Sequence, residues 1–296
     1  MRVLVVTGGN SSERKISLIS ARSVKEALLE NNYKVKLFDL KEGYTKLKQL
    51  SKNFDVIFPV IHGEEGEGGK LHKFLSELGI PYVGGDYNGY RKGWYKIPFK
   101  QFCQENNFPT SDWKKIKTKK DIKNFGFPCV LKSSSGGSSR EVVILNSIHD
   151  LKSYLCNKLL NSNLPLFVEK FLPGVEVTVG ILENKALPIV EIIPPKGEWF
   201  DYKNKYTGKT KEIVNAPSIN SKLQKLTGQI AEQIHQSLNL GPYSRIDFIV
   251  CGDTPYVLEV NTIPGFTSES LFPKAALAKG ISFPNLVKKL VEASFK

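Results

Sequence analysis

The residues with the clearest chemical potential lie toward the carboxyl end, in the stretch SRIDFIV-CGDTP-YVLEVNT. It reads as two strands joined by a turn. Strand side chains alternate faces, so Arg245 and Asp247 share one face, as do Glu259 and Asn261 on the return strand. With the turn centred on Asp253, Asp247 falls opposite Glu259 and Arg245 opposite Asn261. Like charges placed directly opposite destabilise a hairpin unless something positive lies between them. Two carboxylates and an amide oxygen are hard donors of the kind Mg²⁺ takes alongside substrate phosphates, so the pattern predicts a metal-nucleotide site. An exposed acidic sheet face, with Ile246, Phe248, Val257 and Val260 on an apolar reverse side, satisfies the same spacing.

Four further segments carry reactive or anion-binding side chains. LKSSSGGSSRE at 131–141 combines glycines, which allow close backbone approach to an anion, with hydroxyl and N–H donors and with Lys132 at a strand end. A mobile hairpin tip has the same composition. In GGNSSERKISL, Asn10 followed three residues later by Glu13 fits an N-terminal capping box. The functional alternative sets Glu13 at the mouth where the first strand hands over to its helix, the ligand crevice of open α/β sheets. His62 in IHGEEGEGG follows the third strand and reaches the same edge, although a single histidine is more often structural. Lys205 and Tyr206 sit in a polar loop after Pro194-Pro195, where they either fold over a phosphate as a lid or remain solvated. Neither a G-x-x-x-x-G-K-[ST] loop nor a G-x-G-x-x-G fingerprint occurs, so a nucleotide would need another architecture.

These groups need a scaffold. Residues 2–7 read as a buried strand, Gly8-Gly9 as a turn and 12–31 as a helix, with further strands at 35–38 and 55–60. That alternation predicts an open parallel sheet ending near Gly84-Gly85. Beyond it, 127–132 and 141–145 form a hairpin, strands follow at 177–182 and 187–193, a long helix covers 221–238, and the acidic hairpin precedes a terminal helix.

Composition narrows the function. The 296 residues are 41% hydrophobic and 24% charged, as in a soluble globular enzyme. The net charge of +13 raises a nucleic-acid partner, but only six of the 42 basic residues are Arg, whereas phosphate and base recognition favours the guanidinium fork. A lysine-rich solvated surface is expected instead. The four cysteines are isolated, which argues against a zinc site or a disulfide framework and fits a reducing cytoplasm. No apolar run has the length of a membrane span.

Taken in order, GGNSSERKISL, HGEEGEGGKLHKFLSELGIPYVGG, Lys96, KSSSGGSS, VEKFLPGVEVTVGIL, FDYKNKYTG, SRIDF and EVNTIPGFTSESL resemble the D-alanine-D-alanine ligase family of the ATP-grasp superfamily. The resemblance runs over nearly the whole chain. It implies an α/β protein with α+β elements in three domains: an N-terminal open-sheet substrate-binding domain at 1–93, a central ATP-grasp unit at 94–179 and a C-terminal catalytic unit at 180–296. ATP would lie between the last two, with Lys96 and Lys132 on its phosphates. Glu169, Lys170 and Leu172 would bind around the adenine, with Phe171 on the same stretch, and Glu176 would hold the ribose. Asp247, Glu259 and Asn261 match the family's Mg²⁺ (or Mn²⁺) ligands. Glu13 would take the ammonium of the first D-alanine and His62 would lie near its carboxylate. Ser138 and Tyr206 would close a hydrogen-bonded link with Glu13, and Lys205 would meet the γ-phosphate. Arg245 and the Gly265 N–H would stabilise the oxyanion, while Ser270 and Leu271 would position the second D-alanine.

The implied activity is ATP-dependent synthesis of D-alanyl-D-alanine for peptidoglycan precursors, by a cytoplasmic homodimer without nucleic-acid or membrane partners. Three positions depart from the family pattern. Gly68 stands where an acidic residue is usual, Trp94-Tyr95 replace Met-Asp before Lys96, and Arg140-Glu141 follow Ser138-Ser139 where a small pair is expected. A sister ligase using D-serine, D-lactate or another amino acid as second substrate, and a nucleotide-binding homologue without ligase activity, are the alternatives. The Lys205-Tyr206 pair favours an amine over a hydroxy acid.

Overall fold

In the computed structural model, residues 1–137, 141–197, 199, 204 and 209–295 are described. Strand β1 (Arg2–Thr7) sits between β2 (Lys34–Asp39) and β3 (Val56–Pro59) in a three-stranded, wholly parallel sheet. Val3 to Val6 are fully buried, as expected of a central parallel strand covered on both faces. Helix α1 (Arg14–Glu30) packs against it through Ser17, Ala21, Val24 and Leu28, at the spacing of one helical face.

The helix begins two residues later than the sequence implies, and the capping box of Asn10 and Glu13 does not form. Glu13 occupies the N-cap position but makes no side-chain cap bond. The turn is held instead by Ser11, whose Oγ donates to the His62 carbonyl (2.8 Å) and accepts from the Glu13 N–H (3.2 Å). Glu13 is thereby spared from capping duty.

Helices α2 (Tyr44–Ser51), α3 (Glu64–Glu67), α4 (Lys70–Ser76), α5 (Tyr87–Trp94) and α6 (Lys96–Glu105) follow. Gly89 of α5 lies so close to the far end of the molecule that a Cβ there would stand 1.8 Å from the Leu238 carbonyl oxygen. Only glycine fits at that crossing. A four-stranded antiparallel sheet comes next, with β4 (Trp113–Ile116), β5 (Cys129–Ser133), β6 (Val142–Leu145) and β7 (Leu166–Lys170) in the order β4-β7-β5-β6. Its β5-β6 hairpin is the predicted one, and helices α7 (Lys119–Phe125) and α8 (Tyr154–Leu160) supply Ile122, Cys156 and Leu159 to its core.

The third sheet contains β8 (Val175–Leu182), β9 (Lys185–Ala186), β10 (Val190–Ile193), β11 (Lys211–Val214), β12 (Tyr243–Cys251) and β13 (Thr254–Asn261), ordered β11-β10-β8-β12-β13 with β9 on β8. The expected division between residues 179 and 180 falls inside β8, which is continuous through both. Helix α9 (Ser221–Ser237) buries Leu223, Ile230, Ala231 and Ile234 beneath this sheet. Two helices, α10 (Leu271–Ala278) and α11 (Phe283–Ala293), follow. Leu286, Val287, Leu290 and Val291 of α11 share one core with Val3, Val24 and Leu28, so the last helix closes the first sheet's core. Among the described residues no helix is long and apolar enough to cross a membrane.

Candidate active site

The acidic hairpin pairs as its sequence implies, by a different route. Asp247 faces Glu259 and Arg245 faces Asn261. The turn, however, is a tight Gly252-Asp253 pair with Cys251 opposite Thr254, and a bulge next to Asp247/Phe248 restores the register. The bulge also explains how Val257 and Val260, three residues apart, are buried in the same core. An unbroken strand would have turned one of them outward.

Positive charge lies against both carboxylates. The Arg245 guanidinium donates from Nε and Nη2 to the two Asp247 oxygens (3.0 and 2.9 Å), and Lys96 Nζ is 3.0 Å from Glu259. Asp247 also accepts from Thr178 Oγ1 (2.5 Å) and from Asn261 Nδ2 (3.0 Å). With its Nδ2 committed, Asn261 has Oδ1 to offer a cation. Burial opposes the Arg245 charge, but Asp247 outweighs it and raises the guanidinium above its ordinary value. Among the described residues no group of three or more His, Cys, Asp or Glu converges to hold a metal. Two carboxylates plus one amide oxygen fit Mg²⁺ only when phosphate oxygens or waters complete the shell.

These groups line a cleft of about 830 Å³, bordered by the second and third sheets and, from the N-terminal part, by α1, His62 and Glu67 of α3. Every described residue singled out from the sequence lines it: Glu13, His62, Lys96, Lys132, Glu169, Lys170, Phe171, Leu172, Glu176, Arg245, Asp247, Glu259, Asn261, Gly265, Ser270 and Leu271. Ser138, Lys205 and Tyr206 lie outside the described residues.

At one end, the Gly/Ser loop is tied to the start of α6. Ser134 accepts from the Lys96 backbone N–H (2.7 Å), and Lys96 Nζ donates to the Gly136 carbonyl (3.1 Å). A Cβ on Gly137 would stand 3.0 Å from the Glu13 carboxylate, so the loop passes directly over that side chain. His62 is 6% exposed, shares a contact with Ser20 Oγ through Nε2 (3.3 Å), and is pushed below its ordinary pKa by burial against the opposing pull of Glu13. Its imidazole is therefore neutral at pH 7. At the other end, Phe266 is wedged edge-on between Phe58 (5.7 Å) and Tyr243 (5.2 Å), fixing Gly265 beside Ser270. Ser270 is the N-cap residue of α10 and contacts Thr267 Oγ1 (2.9 Å).

Two charged residues were not singled out by spacing. Glu67 lines the cleft, is 8% exposed and accepts from the Gly63 N–H (2.7 Å). Burial, reinforced by Glu13, pushes its carboxyl up to about 8. Lys100 is 1% exposed and pairs with Glu169, which also pairs with Lys132. A lysine on the apolar face of α6, among Ile97, Phe99 and Cys103, was the available sequence signal.

The comparisons agree with this geometry. Family models described as the C-terminus and the N-terminus of D-ala D-ala ligase match residues 92–292 and 40–85. The D-alanine–D-alanine ligase of Aquifex aeolicus is 39% identical over 298 residues, covering 98% of this chain and all of that protein. That of Thermotoga petrophila is 36% identical, over 100% of this chain and 98% of the other. The crystal structure of the Bacillus anthracis ligase complexed with ATP superposes with a TM-score of 0.86 at 30% identity, covering 100% of this chain and 97% of that one. The chain belongs to the D-alanine–D-alanine ligase family, and its fold is that of these ATP-grasp ligases.

Proposed function

We propose that the protein joins two D-alanine molecules at the expense of ATP, releasing ADP and phosphate, in the cytoplasm and as a homodimer, and so supplies the dipeptide for peptidoglycan precursors. The observation that carries this reading is the meeting, in one cleft, of a two-carboxylate-plus-amide donor set, two lysines suited to phosphates, and Glu13 with Arg245 suited to a zwitterion. The strand β8 argues for drawing the boundary between the central and C-terminal units before Val175 rather than at 179/180.

In this reading Glu13 holds the ammonium of the first D-alanine and His62 lies near its carboxylate. Lys96 and Lys132 bind the ATP phosphates, with Phe171 and Leu172 against the adenine and Glu176 on the ribose. Mg²⁺ or Mn²⁺ held by Asp247, Glu259 and Asn261 would neutralise phosphate charge. A carboxylate oxygen of the first D-alanine attacks the γ-phosphorus and ADP leaves, giving an acyl phosphate. Ser270 and Leu271, at the positive end of α10, place the carboxylate of the second D-alanine. Its amine, having lost a proton, attacks the acyl carbon. Arg245 and the Gly265 N–H stabilise the tetrahedral oxyanion, and phosphate departs as the peptide bond forms.

Purified protein given ATP and Mg²⁺ should release phosphate only when D-alanine is added, with the dipeptide seen by mass spectrometry. Release with D-serine or D-lactate but not with D-alanine alone would select a sister ligase, and no release with any of them would refute the ligase assignment.

A further inference from the structure

Lys100 presents a problem the ligation scheme leaves unused. It is 1% exposed, yet an ammonium is almost never buried unless paired and fully hydrogen-bonded. Its Nζ donates to Thr110 Oγ1 (2.7 Å) and Ser111 Oγ (3.1 Å) and pairs with one Glu169 oxygen, so all three of its protons have acceptors. Glu169 also accepts from Ser111 Oγ (2.7 Å), and its second oxygen pairs with Lys132. Lys132, Glu169 and Ser111 line the cleft, whereas Lys100 stands behind them.

Two ammonium groups therefore share one carboxylate. Were Glu169 paired with Lys132 alone, the pair would present no net charge to the cleft. With Lys100 behind it, one positive charge is left over, and it is on the cleft side. Burial pulls the Lys100 ammonium below its ordinary value even against Glu169. In Lys132 burial also opposes the charge, but Glu169 more than offsets it and the value is raised. Helix α6 adds a second constraint. Lys96 and Lys100 are one turn apart, so a single rigid element fixes both the lysine at Gly136 and Glu259 and the one behind Glu169.

We infer that Lys100 is a positioning residue for nucleotide binding: it holds and neutralises Glu169 so that Lys132 is fixed at the cleft with its charge available to phosphate. The inference rests on reading the cleft as the ATP site. A purely structural role makes the opposite prediction, because replacing a buried ion pair member's charge with matching apolar volume then changes folding but not ligand affinity.

The test compares wild type with K100M by calorimetric titration with ATP and Mg²⁺ and by steady-state kinetics. Expected are a Kd for ATP weakened about tenfold and a matching rise in its KM, with the KM for D-alanine within about twofold of wild type. ATP affinity unchanged in K100M overturns the inference. Should K100M not fold, T110V removes a hydroxyl acceptor of Lys100, together with that hydroxyl's own bond to the Val257 carbonyl (3.2 Å), and should weaken ATP about threefold, with unchanged affinity again overturning it. Wild type failing to bind ATP at all would instead refute the reading of the cleft.

Discussion

Lys96 Nζ lies 3.0 Å from the Glu259 carboxylate, joining the first residue of α6 to the carboxyl end of β13. Together with the Arg245–Asp247 pair it gives each carboxylate of the hairpin a cationic neighbour from the protein itself. The repulsion that two opposed carboxylates would create is thus met within the protein itself, and a metal ion bound there, as proposed, would have to share or displace those contacts.

Glu259→Gln keeps the side chain's size and removes one of the two carboxylates. Turnover should fall by at least about 100-fold while the circular dichroism spectrum and melting temperature stay near wild type. Near-normal turnover would remove Glu259 from the metal set.

Arg245→Ala should act on the chemical step. We expect kcat to drop by about 100- to 1000-fold, with ATP affinity changing much less, if the lost donor serves the oxyanion as proposed. Equal losses in ATP binding and in kcat would show that Arg245 works mainly by ordering Asp247.

Glu67 makes stability depend on pH. Its carboxyl is pushed up to about 8 from 4.5, so the folded state retains a proton that the unfolded chain releases. This contribution is complete below the unfolded value and is lost as pH rises toward 8, at on the order of 1 kcal/mol per pH unit. Urea denaturation of Glu67→Gln between pH 5 and 8.5 should show a flatter profile than wild type. Parallel profiles would mean that Glu67 ionises normally.

Gly89→Ala places a methyl group where the Leu238 carbonyl oxygen already stands, 1.8 Å from the new carbon. The backbone of α5 or of the turn after α9 must move, and we expect a loss of about 3 kcal/mol in urea unfolding. A change below about 0.5 kcal/mol would mean that this crossing yields easily.

The parallel sheet, the Gly/Ser hairpin and the carboxylate register were legible because alternation and turn chemistry act over a few residues. The bulge between Asp247 and Val257 was less so. Only the clash between Val257 and Val260, both apolar and three apart, signalled it. Lys100 and Glu67 escaped because their importance comes from burial and from charged partners distant in the chain, Glu169 for Lys100 and Glu13 and Arg245 for Glu67. The Asn10–Glu13 pattern misled in the other direction: it satisfies a local capping rule that Ser11 takes over, drawn by the distant His62 carbonyl.

The shared core of α11 with β1 and α1 bears on biosynthesis. As the chain leaves the ribosome, Val3, Val24 and Leu28 emerge well before the side chains that shield them, Leu286 to Val291, are made. Until then Val24 and Leu28 remain uncovered on that side, so the amino-terminal third must wait, sticky and open to chaperones, for its own lid to be synthesised.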